Sequence, residues 1–211
     1  SLAQDGIINK LRSNLPDCPF PIRYTSLTAF NARYRQGRIT ATGSLVYTNV
    51  TEHVKIGDAP ADFQRLAPSF TVSLQPWQEQ LLFLRLMYKS TFRMPTFNDL
   101  YYYRLGNRSL RPEKANEYNM GITWSRSFSS FLNYLSVTVD GYYNDVTDKI
   151  VAFPTTYAWK MANYGKVHVT GMDATLAAAA SLGKNMVLVV SGGYTWQKAI
   201  DLTDATFKSY K

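Results

Sequence analysis

The stretch FRMPTFNDLYYYRLGNRSLRPE, from Phe92 to Glu113, decides how the rest of the chain is interpreted. It holds five aromatic residues, four arginines and two prolines. It shows no helical period, and its prolines and turn-forming residues are too many for one uninterrupted strand. We therefore interpret it as an elaborate loop between two regular elements, which the flanking sequence defines.

The sequence on both sides of this loop alternates between apolar and polar residues with period two, which is typical of half-buried strands rather than helices. Before the loop, leucines take one face while Arg85 and Lys89 take the other. After it, Val137 and Val139 alternate with Thr138. The pattern predicts eight strands, at residues 22–35, 38–52, 66–75, 80–93, 115–128, 134–152, 162–181 and 185–199.

The predicted connections between these strands are alternately short and long. Strands joined by hairpins are antiparallel, so this alternation places the short turns at one end of the sheet and the long loops at the other. We therefore predict an all-β fold, an antiparallel up-and-down meander of about eight strands. Residues 1–21 are predicted to form a loop or a short helix before the first strand.

Two environments suit a sheet with one apolar and one polar face. In a soluble sandwich or small barrel the apolar face lies inside, whereas in an outer-membrane barrel it meets lipid and the polar face lines a lumen. Long strands, aromatic residues near strand ends and long loops at one end favour the membrane barrel. The predicted apolar face holds Leu82, Leu84, Leu86, Val137, Val139, Met186, Leu188 and Val190. The predicted polar face holds Arg85, Lys89, Thr138, Asp140 and Asn144.

The composition argues against several other classes of function. Lys and Arg number 23 against 15 Asp and Glu, but the basic residues are scattered, so we do not expect nucleic-acid binding. The only cysteine, Cys18, excludes an internal disulfide framework. The two histidines, His53 and His168, belong to no catalytic or metal-binding motif. We expect no enzyme activity, no metal and no cofactor.

The loop and the hairpin that follows it carry two motifs in a fixed order. The first motif consists of Arg93, Pro95, Thr96, Phe97, Asn98, Asp99 and Leu100, followed by Gly106, Asn107, Leu110, Pro112, Glu113 and Glu117. The second lies in VTVDGYYNDVTDKIVAF and MANYGKVHVTGMDATL. Together they resemble the signature of the TonB-dependent outer-membrane receptors. Asp173 stands where that family usually has glutamate. The resemblance covers residues from about 66 to 200.

This resemblance implies a specific architecture and role. Family members have barrels of about 22 strands plugged by a globular domain, so residues 1–211 are expected to be a partial barrel that lacks the plug and the remaining strands. The implied function is import of a ferric siderophore, haem or cobalamin across the outer membrane of a Gram-negative bacterium. The implied partners are outer-membrane lipid, the nutrient ligand and the TonB energising complex, and a fragment is expected to self-associate through its sheet edges. The alternative is a soluble all-β ligand- or carbohydrate-binding module.

The loop residues divide into two candidate groups. One group is expected to be structural: prolines end strand pairing, a Gly-Asn pair tolerates positive φ, and a charge-assisted hydrogen bond holds the turn. It comprises Arg93, Pro95, Asn98, Gly106, Asn107, Pro112 and Glu113. The other group could bind an aromatic or anionic ligand at the loop tips, although its aromatic residues could equally be membrane-interface residues. It comprises Tyr101, Tyr102, Tyr103, Arg104, Tyr157 and Trp159.

Overall fold

The structure is a computed structural model that describes residues 2–6, 20–77, 81–128, 131–154, 159–183 and 186–202. These residues form eleven strands and one short helix. In chain order the elements are β1 (Leu2–Gly6), β2 (Ile22–Gln36), β3 (Ile39–His53), β4 (Phe63–Leu74), β5 (Leu81–Arg93), α1 (Phe97–Tyr101), β6 (Glu113–Ser127), β7 (Leu132–Thr147), β8 (Ile150–Pro154), β9 (Trp159–Asn163), β10 (Lys166–Gly183) and β11 (Met186–Asp201).

Nine of the strands form one antiparallel sheet in the order β1-β2-β3-β4-β5-β6-β7-β10-β11, and β8 pairs with β9 in a separate hairpin. Each strand of the large sheet therefore lies beside its neighbours along the chain, apart from the excursion into β8 and β9. The predicted antiparallel meander is confirmed. Strands β1 and β11 are the two edges of the sheet.

The predicted strand 134–152 is wrong at its end, because the backbone breaks between β7 and β8. Asp148 adopts a left-handed conformation with a φ of 56°, which extended strand backbone cannot accommodate. The predicted strand 162–181 is interrupted in the same way by Gly165, whose φ is 110°. At the first break the alternation is lost, since Thr147, Asp148 and Lys149 are consecutive polar residues, but the strand prediction passed over this signal. The segment between Asp148 and Gly165 forms the β8–β9 hairpin.

The N-terminal segment also differs from expectation. Residues 1–21 were expected to form a loop or short helix, but Leu2–Gly6 form a strand that pairs with residues 22–26 of β2. The edge of β2 offers unpaired N–H and C=O groups, and a short extended segment can satisfy them whatever its side chains are. Residues 7–19, where the short helix was expected, lie outside the described residues.

Cross-strand register confirms the two predicted faces. Leu84, Ile122 and Val139 are directly opposite one another on β5, β6 and β7, so their side chains share one surface. That surface is uncovered: Leu86 is 55% exposed and Val190 is 52% exposed. We call it the outer face.

The opposite surface, the inner face, carries charged and hydroxyl side chains. Arg85 Nη2 lies 2.9 Å from Asp140 Oδ1 across the intervening strand β6. Nearer the short turns, on β6 and β7, the hydroxyl oxygens of Ser125 and Ser136 are 2.8 Å apart, which makes a cross-strand hydrogen bond. Polar side chains of neighbouring strands therefore pair laterally on the inner face.

The buried apolar residues do not lie between two layers of the sheet. The only cluster of buried hydrophobic residues among those described consists of Leu100, Leu110 and Ile150, which belong to the long connections. In the described part of the chain, no helix is long and apolar enough to cross a membrane.

Candidate functional site

Two long connections of the sheet emerge side by side at the same end. Arg93 at the end of β5 is paired with Glu113 at the start of β6. Thr147 at the end of β7 is paired with Lys166 at the start of β10. Residues 94–112 and 148–165 therefore project from neighbouring strand ends. We call these two connections together the loop platform.

The first half of the platform is a single helical turn with a complete cap. The Thr96 side chain accepts a hydrogen bond from the Asp99 main-chain N–H at 3.2 Å, and Thr96 N–H donates to Asp99 Oδ2 at 2.8 Å. Such a reciprocal cap stabilises a helix start. The sequence signal for this turn is the Thr-x-x-Asp spacing after Pro95, which the expectation of an irregular loop overlooked. Asn98 contributes its main-chain carbonyl, which accepts from Tyr102 N–H at 3.1 Å.

A two-pronged ion pair closes the base of this loop. Arg93 Nε and Nη2 each donate to one carboxylate oxygen of Glu113 at 2.8 Å. Glu113 Oε1 also accepts the Ile150 main-chain N–H at 2.6 Å. Because Ile150 begins β8, the same carboxylate joins both platform loops. Pro95 and Pro112 lie just outside the two strand ends, where a residue without an N–H group costs no ladder hydrogen bond.

Gly106 and Asn107 have roles other than the positive φ that we expected. Neither residue is among those with positive φ, and the left-handed residue of this loop is Arg104, with a φ of 63°. A Cβ atom on Gly106 would lie 2.6 Å from the Leu100 carbonyl oxygen, so the close approach of two backbone segments requires glycine. Asn107 instead joins the loops, because its Nδ2 donates to the Met161 carbonyl at 2.9 Å.

The second joint between the loops is made by Asn163. Its Oδ1 accepts the Arg111 main-chain N–H at 2.7 Å, while its Nδ2 lies 2.7 Å from the Arg111 carbonyl and 2.8 Å from the Asp148 carbonyl. Arg111 Nη2 also reaches Asp148 Oδ1 at 2.6 Å. Asn163 belongs to the second sequence motif, but its Arg111 partner is so far away in the chain that the sequence did not indicate this role.

The tips of the two loops form a shallow groove of about 360 Å³. Four of the six candidate ligand residues line it: Tyr102, Tyr103, Arg104 and Trp159, together with Leu105 and Ala152. Both tyrosines and the tryptophan are more than half exposed. The Arg104 guanidinium lies over the Tyr103 ring, 5.1 Å from its centre. We call this feature the tip groove.

The other two candidates do not contribute to the tip groove as the structure describes it. Tyr157 lies outside the described residues. Tyr101 points away from the groove, and its hydroxyl donates a hydrogen bond to Glu52 on β3. Burial, reinforced by this hydrogen bond, raises the pKa of Tyr101 well above its ordinary value. Tyr101 differs from its two neighbours because it is the last residue of the helical turn and packs against the platform core. Tyr102 and Tyr103 follow the turn and lie at the tip.

A polar cluster under the platform connects it to the inner face. Arg23 Nη2 lies 2.7 Å from Glu52 Oε2, and the Arg23 guanidinium is 4.8 Å from the Phe97 ring centre. Arg108 covers the Tyr101 ring at 5.4 Å. A cavity of about 260 Å³ lies among these residues. The sequence did not indicate Arg23 or Glu52 as partners of the loop.

The side chains described at the site offer aromatic and cationic groups rather than clustered metal ligands. Among the described residues, no three His, Cys, Asp or Glu side chains are grouped so that they could hold a metal ion. The exposed groups at the tip are phenols, an indole and a guanidinium. These groups bind by stacking, hydrogen bonding and charge rather than by catalysing a reaction.

The architecture is thus a meander sheet with a bare apolar outer face, a polar inner face and a loop platform at one end. Such a sheet is typical of proteins that form a membrane β-barrel. The family model described as "TonB dependent receptor-like, beta-barrel" matches residues 9–211. The chain belongs to this family. The resemblance carried by the two motifs is therefore confirmed, and the family does not support the alternative of a soluble binding module.

One protein similar in sequence and one similar in structure are transporters by name. The Vitamin B12 transporter BtuB of Vibrio vulnificus is 32% identical over 84 residues, which cover 39% of this chain and 13% of that protein. The structure of the FrpB iron transporter from Neisseria meningitidis, F5-1 variant in its apoprotein form, superposes with a TM-score of 0.61 at 18% identity. That match covers 86% of this chain and 26% of the FrpB chain. This chain therefore spans a minor part of either relative's length.

Proposed function

We propose that this chain forms consecutive strands of the barrel of an outer-membrane receptor, which captures a scarce nutrient at the tip groove and imports it. The nutrient class is a ferric siderophore, haem or cobalamin. Family membership supports the receptor role, and the two named relatives support a choice between iron and cobalamin substrates. The single observation that carries the capture site is the convergence of Tyr102, Tyr103, Arg104 and Trp159 in one groove.

The chemistry of the tip groove suits a planar or anionic ligand. Stacking of a planar group on an aromatic side chain contributes about 1–3 kcal/mol in comparable settings. Arg104 adds attraction for a carboxylate or phosphate, with directional donors that Lys lacks. The ion pair and amide contacts under the groove hold the two loops in one arrangement, so less ordering is needed when the ligand binds.

The membrane location rests on the exposed apolar outer face. In water such a face would be an aggregation surface, whereas in a bilayer it is matched by lipid. Long connections on such barrels are extracellular and short turns periplasmic, so we assign the loop platform to the cell exterior. The charged inner face then lines the lumen, toward the plug region through which we propose that TonB supplies energy.

The two sheet edges support a larger barrel. Strands β1 and β11 each carry a row of backbone groups available for a further strand. We propose that these edges pair with other strands of the same receptor. An isolated copy of residues 1–211 would instead associate with other copies edge to edge, which size-exclusion chromatography in detergent would detect.

The capture site is tested by removing its two strongest groups in the full-length receptor. We expect the double variant Arg104→Ala, Trp159→Ala to weaken binding about tenfold or more, since each group contributes on the order of 1 kcal/mol. Binding of a ferric siderophore panel, haem and cyanocobalamin is measured by fluorescence quenching, with surface abundance measured in parallel.

The matched control removes the same residue types at the other end of the sheet. Arg126 and Trp77 lie near the short turns, and Trp77 is 55% exposed. The variant Arg126→Ala, Trp77→Ala should bind as the unmodified receptor does. Unchanged affinity in the tip-groove variant at normal abundance would mean that other loops or the plug hold the nutrient.

A further inference from the structure

The outer face changes its chemistry row by row with distance from the loop platform. Residues paired across β6, β7 and β10 define each row. From the platform downward the rows are Lys114, Thr147 and Lys166; then Asn116, Asp145 and His168; then Tyr118, Tyr143 and Thr170; then Met120, Gly141 and Met172. Charged, polar, phenolic and apolar rows follow one another as they do across a membrane interface.

The apolar row borders a groove that has Gly141 at its β7 end. The groove has a volume of about 530 Å³, and Gly141 contributes no side chain to its lining. Tyr118, Tyr143 and Met120 are among the residues that line it, and Leu86 and Phe70 extend it toward β4. The groove is open to its surroundings and almost entirely apolar. We call it the Gly141 groove.

Rings enclose the platform side of this groove. Tyr88 and Tyr118 have ring centres 5.1 Å apart, and those of Tyr118 and Tyr143 are 6.2 Å apart. Tyr143 in turn meets His168 edge-on at 5.3 Å. A continuous band of aromatic rings therefore crosses four adjacent strands directly above the groove. Phenolic rings prefer this depth because their apolar body faces hydrocarbon while their hydroxyl reaches the polar zone.

Two lysines stand above the band on the same strands. Lys114 and Lys166 both pair with Thr147, so their backbones are two strand spacings, about 10 Å, apart. Lys166 Nζ lies 3.6 Å from Asp145, which is also 3.1 Å from His168 Nε2. Among the described residues, no carboxylate forms an ion pair with Lys114. The row can therefore attract a further anion.

We infer that the Gly141 groove holds an acyl chain of one lipid of the outer leaflet, and that the phosphate of its headgroup binds between Lys114 and Lys166. This inference rests on the membrane orientation proposed above and goes beyond nutrient uptake. The phosphate complements the lysine charges, and each such contact near a membrane surface contributes appreciably to lipid binding.

The spacing of the two parts fits a single lipid. Gly141 and Thr147 are separated by about 20 Å along β7, which a strand tilt near 40° reduces to about 15 Å along the membrane normal. Tyr143 at the interface lies between them, so Gly141 is about 5 Å inside a hydrocarbon leaflet that is about 15 Å deep. A chain that starts at the lysine row therefore reaches the groove without leaving its own leaflet.

The groove is tested by filling it. The full-length receptor is placed in phosphatidylcholine vesicles that contain phosphatidic acid with a photoreactive diazirine on its acyl chain, and the labelled peptides are mapped by mass spectrometry. Label should concentrate on the peptides around residues 118–120 and 141–143. A Cβ at Gly141 would meet its nearest neighbour, the Met120 carbonyl oxygen, at 3.9 Å, so Gly141→Leu fits the backbone but fills the groove. We expect it to reduce this labelling about fivefold, because the bound chain loses its apolar contacts.

Gly192 supplies the control for added bulk. It lies on the outer face opposite Leu176, and no atom lies within 4 Å of the position that a Cβ on it would take. The variant Gly192→Leu therefore adds the same bulk to the same face away from the groove. Its labelling at 118–120 and 141–143 should be unchanged. Equal labelling along the whole outer face, or equal effects of the two leucines, would overturn the inference.

The headgroup part is tested independently. Labelling by phosphatidic acid should exceed labelling by the matching phosphatidylcholine probe, and Lys114→Gln, Lys166→Gln should abolish this excess, a change of about tenfold. Arg126→Gln, at the opposite end of the outer face, should preserve it. If Gly141→Leu yields no folded barrel, the double variant Lys114→Gln, Lys166→Gln by itself tests whether a lipid is bound at this site. An excess that survives the loss of both lysines would overturn the headgroup assignment.

Discussion

The sheet and the loop platform are stabilised by opposite means. In the sheet, long regular ladders of main-chain hydrogen bonds connect strands whose outer side chains are exposed, and Leu86 and Met120 are both more than half exposed. In the platform, short irregular segments surround Leu100, Leu110 and Ile150, which are at most 7% exposed. The platform contains its own core, whereas the outer face of the sheet has no covering layer among the described residues and would have to be covered by lipid, detergent or another chain.

Under the proposed function, this difference separates membrane insertion from ligand capture. A sheet whose outer face is completed by lipid folds only where lipid is present. A platform held by side-chain contacts keeps its shape independently of that face, and can present ligand-binding groups in water. A change on the outer face should therefore affect membrane insertion, while a change in the platform should affect ligand capture.

The largest expected effect tests the outer face. Val139→Arg places a charge opposite Ile122 and Ala174, and we expect it to destabilise the inserted receptor by about 2–4 kcal/mol. Urea-dependent folding into lipid vesicles measures this change. Thr138→Arg, one residue earlier on the inner face, is the matched control and should cost much less. Equal costs would contradict the assignment of the two faces.

The next effect concerns Asn163, which makes one of the contacts between the platform loops. Asn163→Ala deletes three hydrogen bonds to the other platform segments, each of which contributes about 1 kcal/mol net. Hydrogen exchange should accelerate at the Arg111 and Met161 amides, and ligand affinity should fall.

The sheet provides the contrast for this variant. Exchange of the β6 and β7 ladders should not change in Asn163→Ala, because the platform core is separate from them. Asn31→Ala, at an exposed position of β2, controls for loss of an amide and should leave the platform amides protected. Acceleration throughout the sheet would show that the two regions unfold as one unit.

The smallest expected effect concerns the contact under the platform. Tyr101→Phe removes one hydrogen bond to Glu52, at a cost of about 1 kcal/mol. The raised pKa of Tyr101 adds a pH dependence. The folded form holds the phenol proton more tightly than the unfolded chain. This contribution is therefore complete below the ordinary tyrosine pKa and is lost as the pH rises from there through the higher pKa of the folded form.

Ultraviolet absorbance titration of the folded receptor measures this directly. One tyrosine of the unmodified receptor should ionise later than the exposed ones, and that late component should be missing from Tyr101→Phe. Tyr102→Phe, at the exposed tip, is the control and should retain it. A titration with no late component in the unmodified receptor would contradict the buried contact.

Much of the sheet could be predicted from the sequence, because alternation along a strand is local. Leu84 and Arg85, for example, can be assigned to opposite faces of the sheet from their positions in one strand, without knowing which strand pairs with it. The breaks at Asp148 and Gly165 were missed, because a side-chain pattern does not record φ. At the first of them, however, three consecutive polar residues at 147–149 interrupt the alternation. The pairing of Leu2–Gly6 was also missed, because it depends on the free edge of β2 rather than on side-chain pattern.

The candidate site was predicted in part. The sequence selected both loops whose tips meet, and Tyr102, Tyr103, Arg104 and Trp159 line one groove. It did not separate Tyr101 from its two neighbours, because the three residues look alike until the end of the helical turn is known. It also gave no indication that Glu52 receives the Tyr101 hydroxyl, since the two residues are 49 positions apart.

The sequence by itself therefore determined the family, the meander, the two faces and the end of the sheet that carries the long loops. All of these follow from periodicity, turn length or local motifs, which each segment carries without reference to the others. Only the tertiary structure decided which distant residues meet, as Asn163 does with Arg111 and Glu113 with Ile150. It also decided that Lys114 and Lys166 flank Thr147. Such contacts depend on strand register and on where each strand ends, and these are set jointly by chain segments that are distant in sequence.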